Sequence, residues 1–161
     1  MKTSDFNYEL PEELIANYPL EKRSSSRLLV HLDEIEHKSF KDVLDYFEEG
    51  DLLVVNNTSV IPARIYGHKE SGGSVEVMLE RVMENNKALV QIRSGRAPRI
   101  GAVIILDTFK LKCIDRQDNF FIVQFDRPPL EVFNEIGHVP LPPYIKRPDE
   151  DLDKERYSTV Y

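Results

Sequence analysis

The spacing of apolar residues changes character twice along the chain. From Pro11 to Asn56 it predicts helices alternating with short buried strands. Pro11 suits the first position of a helix, Glu12 and Glu13 complement its dipole, and Tyr18-Pro19 ends it. Arg27 to Leu32 reads as a strand. Ser39 then caps a second helix, with Phe40, Val43, Leu44 and Phe47 at helical spacing and Gly50 as its stop. The run Leu52-Leu53-Val54-Val55 is apolar on both faces, the signature of a strand inside a helix-covered parallel sheet. Two strands and two short helices cannot cover such a run, so further sequence or another chain is expected to complete that sheet.

From Ile61 to about Phe125 the pattern is β throughout. Gly72-Gly73 marks a hairpin and is followed by Val75, Val77 and Leu79 in alternation. Lys87–Arg93, Ala102–Leu106, Lys110–Ile114 and Asn119–Phe125 are further short strands, separated by turn signals such as Asn85-Asn86 and Asp118-Asn119. This spacing predicts a small barrel or sandwich. After Pro128-Pro129 a short helix presents Leu130, Phe133 and Ile136 on one side and stops at Gly137. A proline-stiffened segment, His138 to Ile145, and an acidic stretch, Asp149 to Glu155, lead to Tyr157–Tyr161.

The expected fold is therefore α+β, an α/β pattern that gives way to a β pattern and returns. The expected boundaries are 1–60 for the first part, 61–127 for the inserted barrel and 128–161 for the return to the α/β part.

Composition narrows the setting. No apolar run approaches the roughly 20 residues that cross a bilayer, and the charged N-terminus lacks the apolar stretch of a secretory signal. The single cysteine, Cys113, rules out an internal disulfide and disfavours a cysteine-built zinc site. A cytoplasmic, monomeric protein without a metal is expected. The net charge of −7 argues against a nucleic-acid partner until its distribution is considered. Acidic residues gather in the first third, whereas Lys87, Arg93, Arg96, Arg99, Lys110, Lys112 and Arg116 meet only Asp107 and Asp115 between them. That stretch is either a solvated face or a local patch for a polyanion.

Three blocks carry a family resemblance: the opening, with Asp5, Tyr8, Pro11, Pro19, Arg23 and Arg27; Gly50 to Arg64; and Ile136 to Ile145 followed by Arg156 to Tyr161. Together they resemble the S-adenosylmethionine:tRNA ribosyltransferase-isomerase family of queuosine biosynthesis, in order and across the whole chain. Ser59 and Ser158 depart from it, standing where the family usually has arginine and glutamine. The family's chain is longer, so this one resembles its N-terminal portion and is expected to be inactive alone. The resemblance implies an incomplete α/β barrel-like part with an inserted all-β small barrel. It also implies transfer of the ribosyl group of S-adenosylmethionine to 7-aminomethyl-7-deazaguanine in tRNA. That ribosyl group rearranges to give epoxyqueuosine, adenine and methionine leave, and no metal takes part.

Candidate residues follow. Asn56, Asn57 and Thr58 lie past the apolar run, where α/β sheets gather ligands, although Asn-Asn-Thr also favours a plain turn. Arg64 could clamp an anion or sit in a surface ion pair. Arg27, after three serines, could do likewise. His138 is the candidate base, with a structural histidine as the alternative. Tyr157 and Tyr161 are candidate lining residues, and Lys87, Arg93, Arg96, Arg99, Lys110 and Lys112 are candidate RNA contacts. The competing function is a non-catalytic β-barrel module that binds RNA.

Overall fold

The computed structural model describes residues 1–157. Within them the chain divides into two compact units. One comprises Met1–Asn56 with Pro142–Arg147, the other Asn57–Leu141 with the segment from Pro148 onward.

The second unit is built on a closed six-stranded antiparallel barrel. Its strands are β3 (Arg64–Lys69), β4 (Ser74–Met83), β5 (Lys87–Ser94), β6 (Val103–Leu106), β7 (Phe109–Gln117) and β8 (Phe120–Phe125), in the order β3-β4-β5-β8-β7-β6. Period-two alternation aims Ile65, Val75, Val77, Val90, Leu111 and Val123 inward, all nearly inaccessible. Of the adjacent Phe120 and Phe121, only Phe121 is buried, as alternation requires. Register breaks between Leu79 and Arg81 and between Cys113 and Asp115 are the bulges that let the strands curl.

The turns obey local sterics. Asn85 and Asn86 hold φ of 57° and 55° in the β4–β5 hairpin, the left-handed pair that a tight hairpin demands and that asparagine tolerates best after glycine. Asp107 and Asp118, at 54° and 52°, serve the β6–β7 and β7–β8 turns.

Helix α1 (Pro129–Ile136) begins on proline and drives Val132 and Phe133 into the barrel core, where the Phe133 and Phe125 rings lie 5.9 Å apart. Fully burying each such side chain is worth about 1.5–3 kcal/mol. Helix α2 (Asp151–Arg156) starts at a reciprocal cap in which Asp153 Oδ2 accepts the Glu150 N–H at 2.8 Å. The sequence reading took this segment only as an acidic stretch; the Glu150-x-x-Asp153 spacing was the available sign of a helix start.

Closure depends on glycine. The second edge of β3 meets β6 through only two residue pairs, His68 with Ile105 and Lys69 with Ile104. A Cβ on Gly67 would stand 2.4 Å from the Ile105 carbonyl oxygen and 2.7 Å from Leu106 Cδ2. Gly137 is equally confined, between the carbonyls of Phe133 and Pro62 at 2.1 and 2.2 Å.

The first unit is organised differently. Three 3-10 turns, Thr3–Phe6, Glu12–Leu14 and Arg23–Ser25, precede an antiparallel hairpin of β1 (Arg27–His31) and β2 (Ile35–Ser39), then a 3-10 helix, Phe40–Tyr46. Lys146 pairs with Glu12, and that hydrogen bond, reinforced by its charge, holds the Glu12 carboxyl below its usual range. The Arg147 guanidinium lies 4.1 Å from the Tyr18 ring centroid, and its Nε donates to the Asn17 carbonyl. Val30 is the sole buried hydrophobic side chain of this unit among the described residues.

Two expectations are corrected here. The helices foreseen after Pro11 and Ser39 are 3-10 turns, because neither has an apolar surface to bury its stripe against. The run Leu52–Val55 forms no strand. It is irregular and exposed, with Leu52 87% and Val54 83% accessible, since none of the described residues offers its backbone a ladder partner. Arg27–His31 pairs with the next segment as a hairpin, so no parallel sheet forms among the described residues.

Three outcomes follow. Gly67→Ala is expected to destabilise the barrel by about 1–3 kcal/mol in urea unfolding, the usual penalty of overpacking. Gly73→Ala, which meets only the Lys69 side chain at 3.9 Å or more, is expected to change stability by less than about 0.5 kcal/mol. Burial pushes the Cys113 thiol up to about 11, so iodoacetamide at pH 8 should leave it unmodified in the folded chain and alkylate it fully in denaturant. Rapid alkylation without denaturant would show that β7 opens.

Candidate functional site

Residue Gly137 ends α1, and the chain turns back along the start of β3. There His138 donates its backbone N–H to the Arg64 carbonyl at 2.7 Å, and Arg64 returns an N–H to the His138 carbonyl at 3.2 Å. This single antiparallel bridge lays His138 on the outside of the barrel, on the edge of β3 that β6 leaves open.

The imidazole is held from two sides. Its Nδ1 lies 2.9 Å from Asp149 Oδ1, and Asp149 Oδ2 accepts the Val139 N–H at 3.0 Å. The Tyr66 ring meets it edge-on, with centroids 5.1 Å apart at 62°. The Asp149 side chain is only 12% exposed, the His138 side chain 45%. A carboxylate can only accept hydrogen bonds, so the geometry requires a proton on Nδ1, and in the neutral ring Nε2 is then the acceptor.

Beside this pair, Arg64 Nε stands 3.1 Å from Glu76 Oε1, each side chain about a quarter exposed. The N–H is not aimed at the carboxylate, so this contact is an ion pair without an aligned hydrogen bond from Nε. Arg64 is thus engaged in a surface pair, one of the two roles its sequence position allowed. The strand register sets Tyr66 opposite Glu76 and Glu76 opposite Arg93, so these three share the outer face.

The candidate RNA contacts fall into two groups on the barrel. Lys87 and Lys112 both pair with Gln124, forming one line across β5, β8 and β7, with Lys110 two residues from Lys112 on the same face. Arg96 and Arg99 are exposed in the β5–β6 connection, where Lys69 Nζ bonds the Arg96 carbonyl. Arg93, on β5, belongs with Tyr66 and Glu76. Arg116 turns away from both groups: its Nε donates to the Asp118 carbonyl and its guanidinium lies over Phe121.

The remaining candidates are dispersed. Arg27 opens β1 and is exposed, while Asn56, Asn57 and Thr58 lie in exposed irregular chain. Tyr157 follows α2 and donates its N–H to the Asp153 carbonyl. Tyr161 lies outside the described residues. Of the substrate-binding and catalytic candidates, the fold brings together His138 and Arg64. Among the described residues no cluster of three His, Cys, Asp or Glu could hold a metal ion, and no helix is long and apolar enough to cross a membrane. Asp149, Tyr66 and Glu76 escaped the sequence reading. Asp149 lies eleven residues from His138 with no periodic relation to it, whereas Tyr66 was legible as an aromatic on the polar side of an alternating strand.

The tautomer is testable. In nitrogen-15 spectra taken where the ring is neutral, His138 is expected to carry its proton on Nδ1. Asp149→Ala should erase that preference and leave the ring averaging between tautomers. A neutral ring protonated at Nε2 and bare at Nδ1 in the unsubstituted chain would contradict the geometry.

Comparison with known proteins adds the family. The model of the queuosine biosynthesis protein family matches residues 3–161. A solved structure of S-adenosylmethionine tRNA ribosyltransferase from Thermotoga maritima shares 36% sequence identity, covering 83% of this chain and 48% of that one, with a TM-score of 0.44. The chain therefore spans about half the length of that relative. With the family model matched along nearly its whole length, this chain belongs to the queuosine biosynthesis protein family.

Proposed function

We propose that this chain serves the ribosyl-transfer and isomerisation step of queuosine synthesis. In that step the ribosyl group of S-adenosylmethionine is joined to 7-aminomethyl-7-deazaguanine in tRNA and rearranged to epoxyqueuosine, with release of adenine and methionine. The observation that carries this reading is the family match over residues 3–161. The name of the solved relative, an S-adenosylmethionine tRNA ribosyltransferase, supports the donor and the acceptor.

The geometry gives His138 what the role of a base requires. Asp149 occupies Nδ1, and in the neutral ring Nε2 is the nitrogen that would take a proton from a ligand. The barrel adds one cation to this outer face, Arg93 in line with Tyr66, while the Lys87–Lys112 line lies across β5, β8 and β7, on the far side of the barrel from β3. Asn56, Asn57, Thr58 and Arg27 belong in this reading to the donor-binding side, as neutral amide, hydroxyl and guanidinium groups suited to a ribose and a carboxylate.

This chain alone is proposed to lack turnover. The segment leading to Asn56 buries nothing among the described residues, and an active site needs groups fixed to within about half an ångström. A second reading, a module that holds RNA without chemistry, is favoured by one observation: the barrel has a complete core of its own.

One incubation tests whether the chain turns over on its own. The chain is mixed with S-adenosylmethionine and precursor-bearing tRNA, and adenine is measured alongside the same reaction with the Thermotoga maritima relative. No adenine from the chain, against steady release by the relative, is the expected result. Turnover by the chain within about ten-fold of the relative would contradict the proposed inactivity and establish catalysis; salt-sensitive tRNA binding without adenine is what the binding-module reading requires.

A further inference from the structure

The geometry points to Tyr66, flanked by His138 and Arg93, as a stacking platform on the barrel's outer face for an unpaired nucleotide of the RNA substrate. This inference rests on the proposed action on tRNA and adds to it the place where a base is held.

An exposed aromatic alone would mean little, because single exposed apolar side chains are common. Tyr66 differs because its surroundings fix it. The ring is 51% exposed, yet one edge is packed against His138, which is itself tied to the largely buried Asp149. Its strand is held by β4, where Tyr66 pairs with Glu76, and on the other edge by the His138 bridge at Arg64 and by β6 from His68 onward. A ligand meeting this ring orders little that is not already ordered, and preorganisation of that kind lowers the cost of binding.

The neighbouring chemistry suits a nucleotide. The ring face offers stacking, which tolerates any base. Nε2 of His138 offers an acceptor to a ribose hydroxyl or a base N–H, the donor groups that distinguish RNA from a simple polyanion. Arg93 lies two strands from Tyr66 on the same face, about 10 Å away at ordinary strand spacing, a reach that suits the phosphate of a stacked nucleotide. The acids nearby are already engaged, Glu76 with Arg64 and Asp149 with His138, so neither stands as a bare repulsive charge.

Fluorescence anisotropy with labelled unmodified tRNA tests this on the whole 161-residue chain. Tyr66→Ala is expected to weaken binding on the order of ten-fold without changing the salt slope, because stacking releases no counterions. Tyr66→Phe, which keeps the ring, should bind like the unsubstituted chain. Arg93→Ala should lower the magnitude of the salt slope by about one phosphate contact, roughly 0.7–0.9. Circular dichroism checks that each variant is folded. If Tyr66→Ala binds normally while Lys110→Ala and Lys112→Ala lose affinity, the platform is refuted and RNA binding belongs to the lysine line. If the unsubstituted chain binds no tRNA at all, the RNA-binding role of the barrel falls and the platform falls with it.

Discussion

The second edge of strand β3 is the constraint on which the rest of this structure depends. Toward its end that edge closes the barrel against β6, and it does so only because Gly67 lets the Ile105 carbonyl approach to a distance no side chain would permit. At its start the same edge receives His138, delivered by Gly137 from the end of α1. One strand edge thus serves both the closure of the barrel and the placing of the candidate site. A shift of β3 by one residue would turn Ile65 outward and Tyr66 into the core.

That sharing explains why the candidate site lies where it does. The barrel interior is filled by aliphatic and aromatic side chains, with Val132 and Phe133 of α1 completing the core. The candidate site lies on the outer face, where polar residues alternate with the core. Tyr66, Glu76 and Arg93 are brought into line by register alone, and Asp149 reaches His138 from the segment preceding α2. The first unit has no comparable device. Its apolar residues, Leu52 to Val55 above all, remain at the surface, and its ties are ion pairs and ring contacts that add little stability in water.

Much of the barrel was legible because its information is local. Alternation named the strands, and asparagine, aspartate and glycine named the turns that later showed left-handed backbone at Asn85, Asn86, Asp118 and Gly72. Helix α1 was equally plain from Leu130, Phe133, Ile136 and Gly137. The first unit resisted the same reading because an apolar run states only that burial would be favourable. Whether Leu52–Val55 becomes a strand depends on partners that a local pattern cannot supply. The site was half legible: His138 and Arg64 stood out as chemical groups, but their pairing with Asp149 and Glu76 is set by strand register and chain return, which no spacing rule contains. The motifs carried the family, and the family model bears that identification out.

Native-state hydrogen exchange on this chain tests the central claim most directly, namely that the barrel unit is stable on its own while Leu52 to Val55 is exposed and outside any strand among the described residues. Amides of β4, β5, β7 and β8 are expected to exchange only through global unfolding, those of Leu52 to Val55 at nearly the rate of an unstructured peptide. Protection of Leu52 to Val55 equal to that of the barrel strands would contradict the account, for it would require a ladder partner that the structure does not provide.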